Sequence, residues 1–234
     1  MKMMSHMSSG PQSKTELRIY RASVRKSSFI GVYCAVFKDR AVASPIVPSG
    51  FARRLKSLLD VDTTVTTIGS VSSVGTMMAM NSNGIVVPNT ISDDELVELE
   101  RCSDVLVIDE RSSALGNLIV ANDRGCVISD LISERGASRV SSFLKVGYTR
   151  MSVGKYRTVG SLFAVSNRAG VASPLVDADT VDQVSKVLGI QMIPTTVNDG
   201  ERLVKLGVLM NDKAIVVGKN TSGVELMSLQ ALVR

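Results

Sequence analysis

Five times along the chain, a short apolar run opens at a small residue, breaks at a polar turn, resumes, and closes at Pro, Ser or Gly. The first four copies open at Gly31, Gly75, Gly116 and Gly160 and close at Pro45, Pro88, Ser129 and Pro174. The fifth runs from Gly207 to Gly218 with its opening glycine displaced. The turn residues Lys38, Asn81, Asn122, Asn167 and Asn211 are separated by 43, 41, 45 and 44 residues. Spacing this regular marks a repeat architecture, in which no single unit can bury its apolar face alone. Each copy reads as a hairpin, and Asn, Asp and Gly at the turns tolerate the positive φ that tight hairpins need.

Between hairpins the period changes from strand to helix. Ser92 with Glu95, and Ser222 with Glu225, read as capping boxes before helical apolar spacing. Ser49 precedes a helix through Phe51, Leu55, Leu58 and Leu59, and Asp179 reads as the N-cap of a helix stopped by Gly189. The third unit's helix, around Ser138 to Leu144, is the faintest. Strands are then predicted at Thr63 to Ile68, Val105 to Asp109, Tyr148 to Val153 and Met192 to Val197. The fifth unit has no such strand, while Leu17 to Val24 forms one without a unit of its own. The economical arrangement is an α+β ring, a five-fold pseudo-symmetric β/α propeller closed by the N-terminal strand, which also removes exposed sheet edges. The expected organisation is a tail over 1–16 and one five-repeat domain over 17–234. The blades fall roughly at 25–68, 69–109, 110–153, 154–197, and 198–234 with 17–24.

The 44% hydrophobic content supports a sizeable core, and with no Trp that core must be aliphatic. No apolar run approaches the ~18 residues of a membrane span, so no membrane partner is expected. Three cysteines without metal-type spacing, and no signal-like N-terminus, point to the cytoplasm. The net charge of +5 leans towards an acidic partner. The densest clusters are Arg18, Arg21, Arg25 with Lys26, and Arg53, Arg54 with Lys56, each readable as a solvated face or an RNA contact.

Candidate chemistry is thin. His6, the one histidine, lies in the tail, so imidazole catalysis and His-based metal sites are not expected. Cys34 and Cys126 fall mid-strand among apolar residues, where a buried structural thiol is the natural reading. No phosphate-binding Gly-rich loop with a trailing Lys-Ser or Lys-Thr is present, and no cofactor is implied.

Several phrases are more specific. The stretch Asp-Glu-Arg-Ser-Ser-Ala-Leu-Gly-Asn (Asp109 to Asn117) is one, with Gly84 to Thr90, Thr195 to Gly200, and Lys219 to Leu226 as others. Together they resemble the translation initiation factor six family, the ribosome anti-association factor of archaea and eukaryotes. The likeness covers about 17–234, in register with all five repeats. It implies a pentein ring and a role on the intersubunit face of the large ribosomal subunit. There the factor would contact ribosomal RNA and the ribosomal protein beside the sarcin–ricin loop, and exclude the small subunit by bulk. DNA is not an expected partner, and a self-closed ring is expected to act as a monomer. The resemblance places Asn117 at the binding face, flanked by Leu115 and Gly116 and preceded by Arg111. Repeat symmetry adds Thr76 and Ser161, although Gly75 and Gly160 also suit close packing around a crowded axis. A basic chain without a long polar C-terminal extension favours an archaeal member. The alternatives are a pentein enzyme of the guanidine-modifying kind, which needs an activated Cys with His and carboxylates, or a generic protein-binding scaffold.

Overall fold

The computed structural model describes residues 17–233, so the expected tail over 1–16 and His6 lie outside the described residues. Strand β1 (Arg18–Ala22) comes first, followed by five hairpins, each with a helix behind it. The first blade is β2 (Cys34–Phe37), β3 (Arg40–Ala43), helix Ser49–Leu59 and β4 (Asp62–Val65). The second is β5 (Ala79–Asn81), β6 (Gly84–Pro88), helix Asp93–Glu100 and β7 (Val105–Ile108). The third is β8 (Ile119–Ala121), β9 (Gly125–Ser129), helix Glu134–Leu144 and β10 (Gly147–Met151). The fourth is β11 (Phe163–Val165), β12 (Ala169–Ala172), helix Ala178–Leu188 and β13 (Gln191–Pro194). The fifth is β14 (Val208–Met210), β15 (Ala214–Gly218) and helix Gly223–Leu229.

Every blade is a three-stranded sheet in which the middle strand pairs antiparallel with its hairpin partner and parallel with the strand after the helix. In the fifth blade β1 takes that last place, from Arg18 opposite Ala214 to Ala22 opposite Gly218. The expected closure by the N-terminal strand is therefore present, and the fold is a five-bladed α+β ring. The core consists of wedges between neighbouring blades. Leu209 and Val216 of the fifth blade pack with Cys34, Ala43 and Leu55 of the first, and Leu115 and Val140 of the third pack with Val86 of the second.

A buried amide recurs between blades. Asn81 Nδ2 donates to Asn122 O (3.1 Å) and Leu144 O (2.9 Å), and Asn122 Nδ2 to Ser166 O (3.2 Å) and Leu188 O (2.8 Å). Asn211 Nδ2 closes the circle on Lys38 O (2.6 Å) and Leu59 O (2.7 Å). One side chain thus satisfies the next blade's hairpin and a carbonyl at its helix end, groups that burial would otherwise leave unpaired.

Several local expectations need correction. The hairpin register shows that the turn residues equivalent to Lys38 and Asn167 are Ser82, Asp123 and Asp212. Asn81, Asn122 and Asn211 stand one place earlier, with Phe37 and Ser166. The fourth helix is capped by Asp177, whose side chain accepts from the Thr180 N–H, and not by Asp179; Gly189 ends it in the left-handed region as expected. The third helix begins at Glu134 behind an Ser133 cap, four residues before the expected start, because Glu134 and Arg135 sit on its solvent face and mask the period. Finally, the residues after each opening glycine are not strand at first. They form a single helical turn at Ile30–Tyr33, Val74–Met77, Leu115–Leu118, Val159–Leu162 and Val204–Gly207.

Candidate functional site

The five short turns meet around the ring axis, and glycine lets them. A Cβ on Gly31 would lie 2.0 Å from Lys205 O, on Gly75 2.1 Å from Gly31 O, on Gly116 2.4 Å from Gly75 O, and on Gly160 2.5 Å from Gly116 O. Each turn rests on the carbonyl of the one before it, a distance no side chain permits. In the fifth blade the matching position is Lys205, since Gly75, Gly116 and Lys205 each stand six residues before the buried asparagine of their blade. The opening glycine there is therefore replaced and not displaced. The Lys205 ammonium donates across the axis to Gly116 O. Lys205 is half-buried, and burial at the collar pushes its pKa down to about 8.

Below this collar lies an axial cavity of about 70 Å³, lined among others by Cys34, Met78, Phe163, Met210 and Lys205. No carboxylate is among its lining residues. Burial pushes the Cys34 thiol up to about 12 and raises that of Cys126 as well, so both stay protonated at neutral pH. The far end of the axis is ringed by the hairpins. The Asp123 carboxylate there accepts from Ser82 N (2.9 Å), Ser82 Oγ (2.7 Å), Asn167 Nδ2 (2.7 Å) and Lys38 Nζ (3.0 Å). Burial opposes its ionisation, but these donors outweigh it and hold the pKa below the usual value.

The structure gathers the candidate residues at the glycine collar. Thr76, Asn117 and Ser161 occupy equivalent places, each just after its blade's glycine. Thr76 is half-buried with its hydroxyl on Ser73 O (2.8 Å), and Ser161 is buried with its hydroxyl on Thr158 O (2.7 Å). Leu115 is fully buried in the core, and Gly116 is buried beneath the rim, so both support the face from below. Arg111 is exposed on the connection leading into the Leu115–Leu118 turn. Asn117 differs from its neighbours. It is half-buried, and its Oδ1 is one of two buried side-chain polar atoms with no hydrogen-bond partner among the described residues.

Two carboxylates that the sequence marks only as helix caps also shape this face. Glu95 accepts from the Thr67 hydroxyl and from the N–H groups of Gly69 (2.8 Å), Ser70 (2.9 Å) and Ser92 (3.0 Å). Glu225 accepts from Thr196 Oγ1 (2.6 Å) and from the N–H groups of Asp199 (3.1 Å), Gly200 (2.9 Å) and Ser222 (2.7 Å). For each, burial opposes ionisation and the donors overcome it, leaving a pKa of about 2. In the third blade the polarity reverses: Glu110, on the loop, accepts from Ser133 Oγ (2.6 Å) at the helix cap.

Comparison with known proteins now bears on the collar. A dimethylarginine dimethylaminohydrolase structure bearing an S-methyl-L-thiocitrulline adduct is similar with a TM-score of 0.51, covering 93% of this chain and 88% of that one. At 13% identity the likeness is one of fold alone, and it agrees with a pentein arrangement of five modules. "Translation initiation factor 6" of Methanoculleus marisnigri is 32% identical over 197 residues, covering 84% of this chain and 90% of the relative. "Eukaryotic translation initiation factor 6" of Neurospora crassa is 30% identical over 222 residues, covering 92% and 89%. The eIF-6 family model matches residues 19–232, from the closing strand to the last helix, and the chain belongs to that family.

Proposed function

We propose that this protein is a translation factor that docks its glycine collar on the intersubunit face of the large ribosomal subunit and keeps the small subunit away by bulk. Family membership supports a role in translation. The single observation that supports this face is the Asn117 side chain, whose buried oxygen has no donor among the described residues. Enclosing an acceptor without a partner costs about 1–3 kcal/mol, and a rotation of the amide on docking, which brings Oδ1 out to a partner's donor, recovers it. Thr76, in the equivalent place of the second blade's turn, and the exposed Arg111, on the connection into the Leu115–Leu118 turn, would join it in the contact.

The factor acts by occupancy, as a cytoplasmic monomer, without catalysis. A guanidine-modifying reaction at the axis would need a thiolate with a base beside it. Cys34 has a protonated thiol in an apolar wall, and no imidazole is available among residues 17–233. Gradient sedimentation with isolated large subunits tests the reading. The protein is expected to travel with the large subunit at modest salt and to reduce re-formation of joined ribosomes. Free protein remaining at the top of the gradient contradicts it.

A further inference from the structure

Closure of the ring rearranges the two basic clusters seen in the sequence. Strand β1 rises beside the first blade's helix, and Arg54 donates to Arg21 O (3.4 Å) across that seam. The turn after β1 folds over the start of the same helix, where Arg25 Nε donates to Ile46 O (3.0 Å). Arg21, Arg25, Lys26, Arg53 and Arg54 are thereby drawn together, all exposed. Arg18 and Lys56 are sent to the other end of the blade, where Lys56 pairs with Asp62.

Among the described residues none of the five assembled cations has a carboxylate partner, whereas Arg101 pairs with Glu98, Arg157 with Asp130, Lys186 with Asp182 and Lys213 with Asp60. The adjoining helix Ser49–Leu59 likewise has no acidic residue in its first turn and no side-chain cap, unlike the helices at Asp93, Glu134, Ala178 and Gly223. Its positive dipole end therefore adds to the same field. Phe29 lies beside this patch, and it is the one aromatic among the exposed large hydrophobic residues. Guanidinium groups contact phosphates and stack on planar groups, and an exposed ring next to them offers a base a platform.

We propose that this seam is an RNA-binding surface, on which Arg21, Arg25, Lys26, Arg53 and Arg54 neutralise phosphates while Phe29 stacks on an unpaired base. The seam lies on the same end of the ring as the collar, because Arg25 and Lys26 lead directly into the Ile30–Tyr33 turn. It deepens the ribosomal reading and rests on it for the source of the RNA, not for the chemistry.

The test is binding of a fluorescent RNA hairpin with an unpaired loop, measured by anisotropy across salt concentrations. Five phosphate contacts on single-stranded RNA predict roughly a 10²-fold loss of affinity between 50 and 200 mM salt. Arg53→Gln with Arg54→Gln is expected to lower the salt slope by about 0.7 unit per charge removed. Phe29→Ala is expected to weaken binding by about 5- to 100-fold without changing the slope. All these residues are exposed, so unchanged thermal midpoints exclude a folding effect. Equal losses from Lys186→Gln on the fourth blade's helix overturn the proposal, as does displacement of the RNA by polyglutamate at equal charge concentration, which identifies an acidic protein as the partner. Sedimentation of the wild type with large subunits runs in parallel. RNA binding without subunit binding discards the ribosomal reading and keeps the seam, and the reverse result discards the seam.

Discussion

The Lys205 ammonium donates to the Gly116 carbonyl across the ring axis, tying the fifth blade to the turn that presents Asn117. Four blades reach the axis with glycine and one with a cation, so the collar is five-fold in backbone only. Its pKa is displaced downward, to about 8 from 10.5, which fixes the sign of a pH effect. Between these values the unfolded chain binds the proton more tightly than the folded one, so this residue makes stability rise as pH climbs from 8 to 10.5. Urea unfolding of the wild type against Lys205→Met over that range checks it. The difference between the two is expected to shift in favour of the wild type as pH rises, and a pH-independent difference refutes the assignment.

The glycine collar predicts a sharp contrast between two alanine substitutions. Gly116→Ala places a Cβ 2.4 Å from Gly75 O and 2.6 Å from Met78 O, both backbone atoms that cannot swing away. Overpacking of this kind costs about 1–3 kcal/mol. Gly147→Ala, with nothing within 4 Å, is expected to change the unfolding midpoint little.

Glu95 and Glu225 predict the acid limb of stability. Their folded pKa values lie near 2, below the ordinary 4.5, so their contribution is present above pH 4.5 and is lost as pH falls towards 2. Glu95→Gln and Glu225→Gln each weaken buried donors and should cost about 1–3 kcal/mol at neutral pH. Each should also flatten the loss of stability between pH 4.5 and 2, as read by denaturant melts.

The amide bridges between blades give a further test. Asn122→Ala removes the donations to Ser166 O and Leu188 O and the acceptor of the Arg124 and Gly125 N–H groups, leaving buried backbone groups unpaired. A loss of about 2–6 kcal/mol is expected from chemical unfolding, the usual cost of two orphaned buried carbonyls.

Much of the ring was legible because hairpins, caps and spacing are local features. Ser92 with Glu95 and Ser222 with Glu225 form the capping boxes their spacing announces, and β1 completes the last blade as the count of strands requires. What escaped depends on contacts between blades. Lys38 and Asn167 resemble Asn81 in the sequence, yet only the pairing register shows that they stand one place further along. Lys205 has no local signature, since its role comes from four glycines lying up to 174 residues away. Leu115 and Gly116 accompany Asn117 in the sequence phrase, but a helical turn sends the three side-chain positions in different directions, leaving Asn117 as the one at the rim. The basic seam needed closure, which separates Arg18 from Arg21 and brings Arg21 to Arg54.

The central claim is that the collar around Asn117 is a docking face. Its side-chain oxygen has no partner among the described residues, so Asn117→Ser should leave the fold intact while removing a contact. Sucrose-gradient co-sedimentation with purified large subunits, wild type against Asn117→Ser at matched unfolding midpoints, measures this directly. Wild type in the large-subunit fractions with the variant shifted towards free protein is the predicted result; equal co-sedimentation of both proteins contradicts the account.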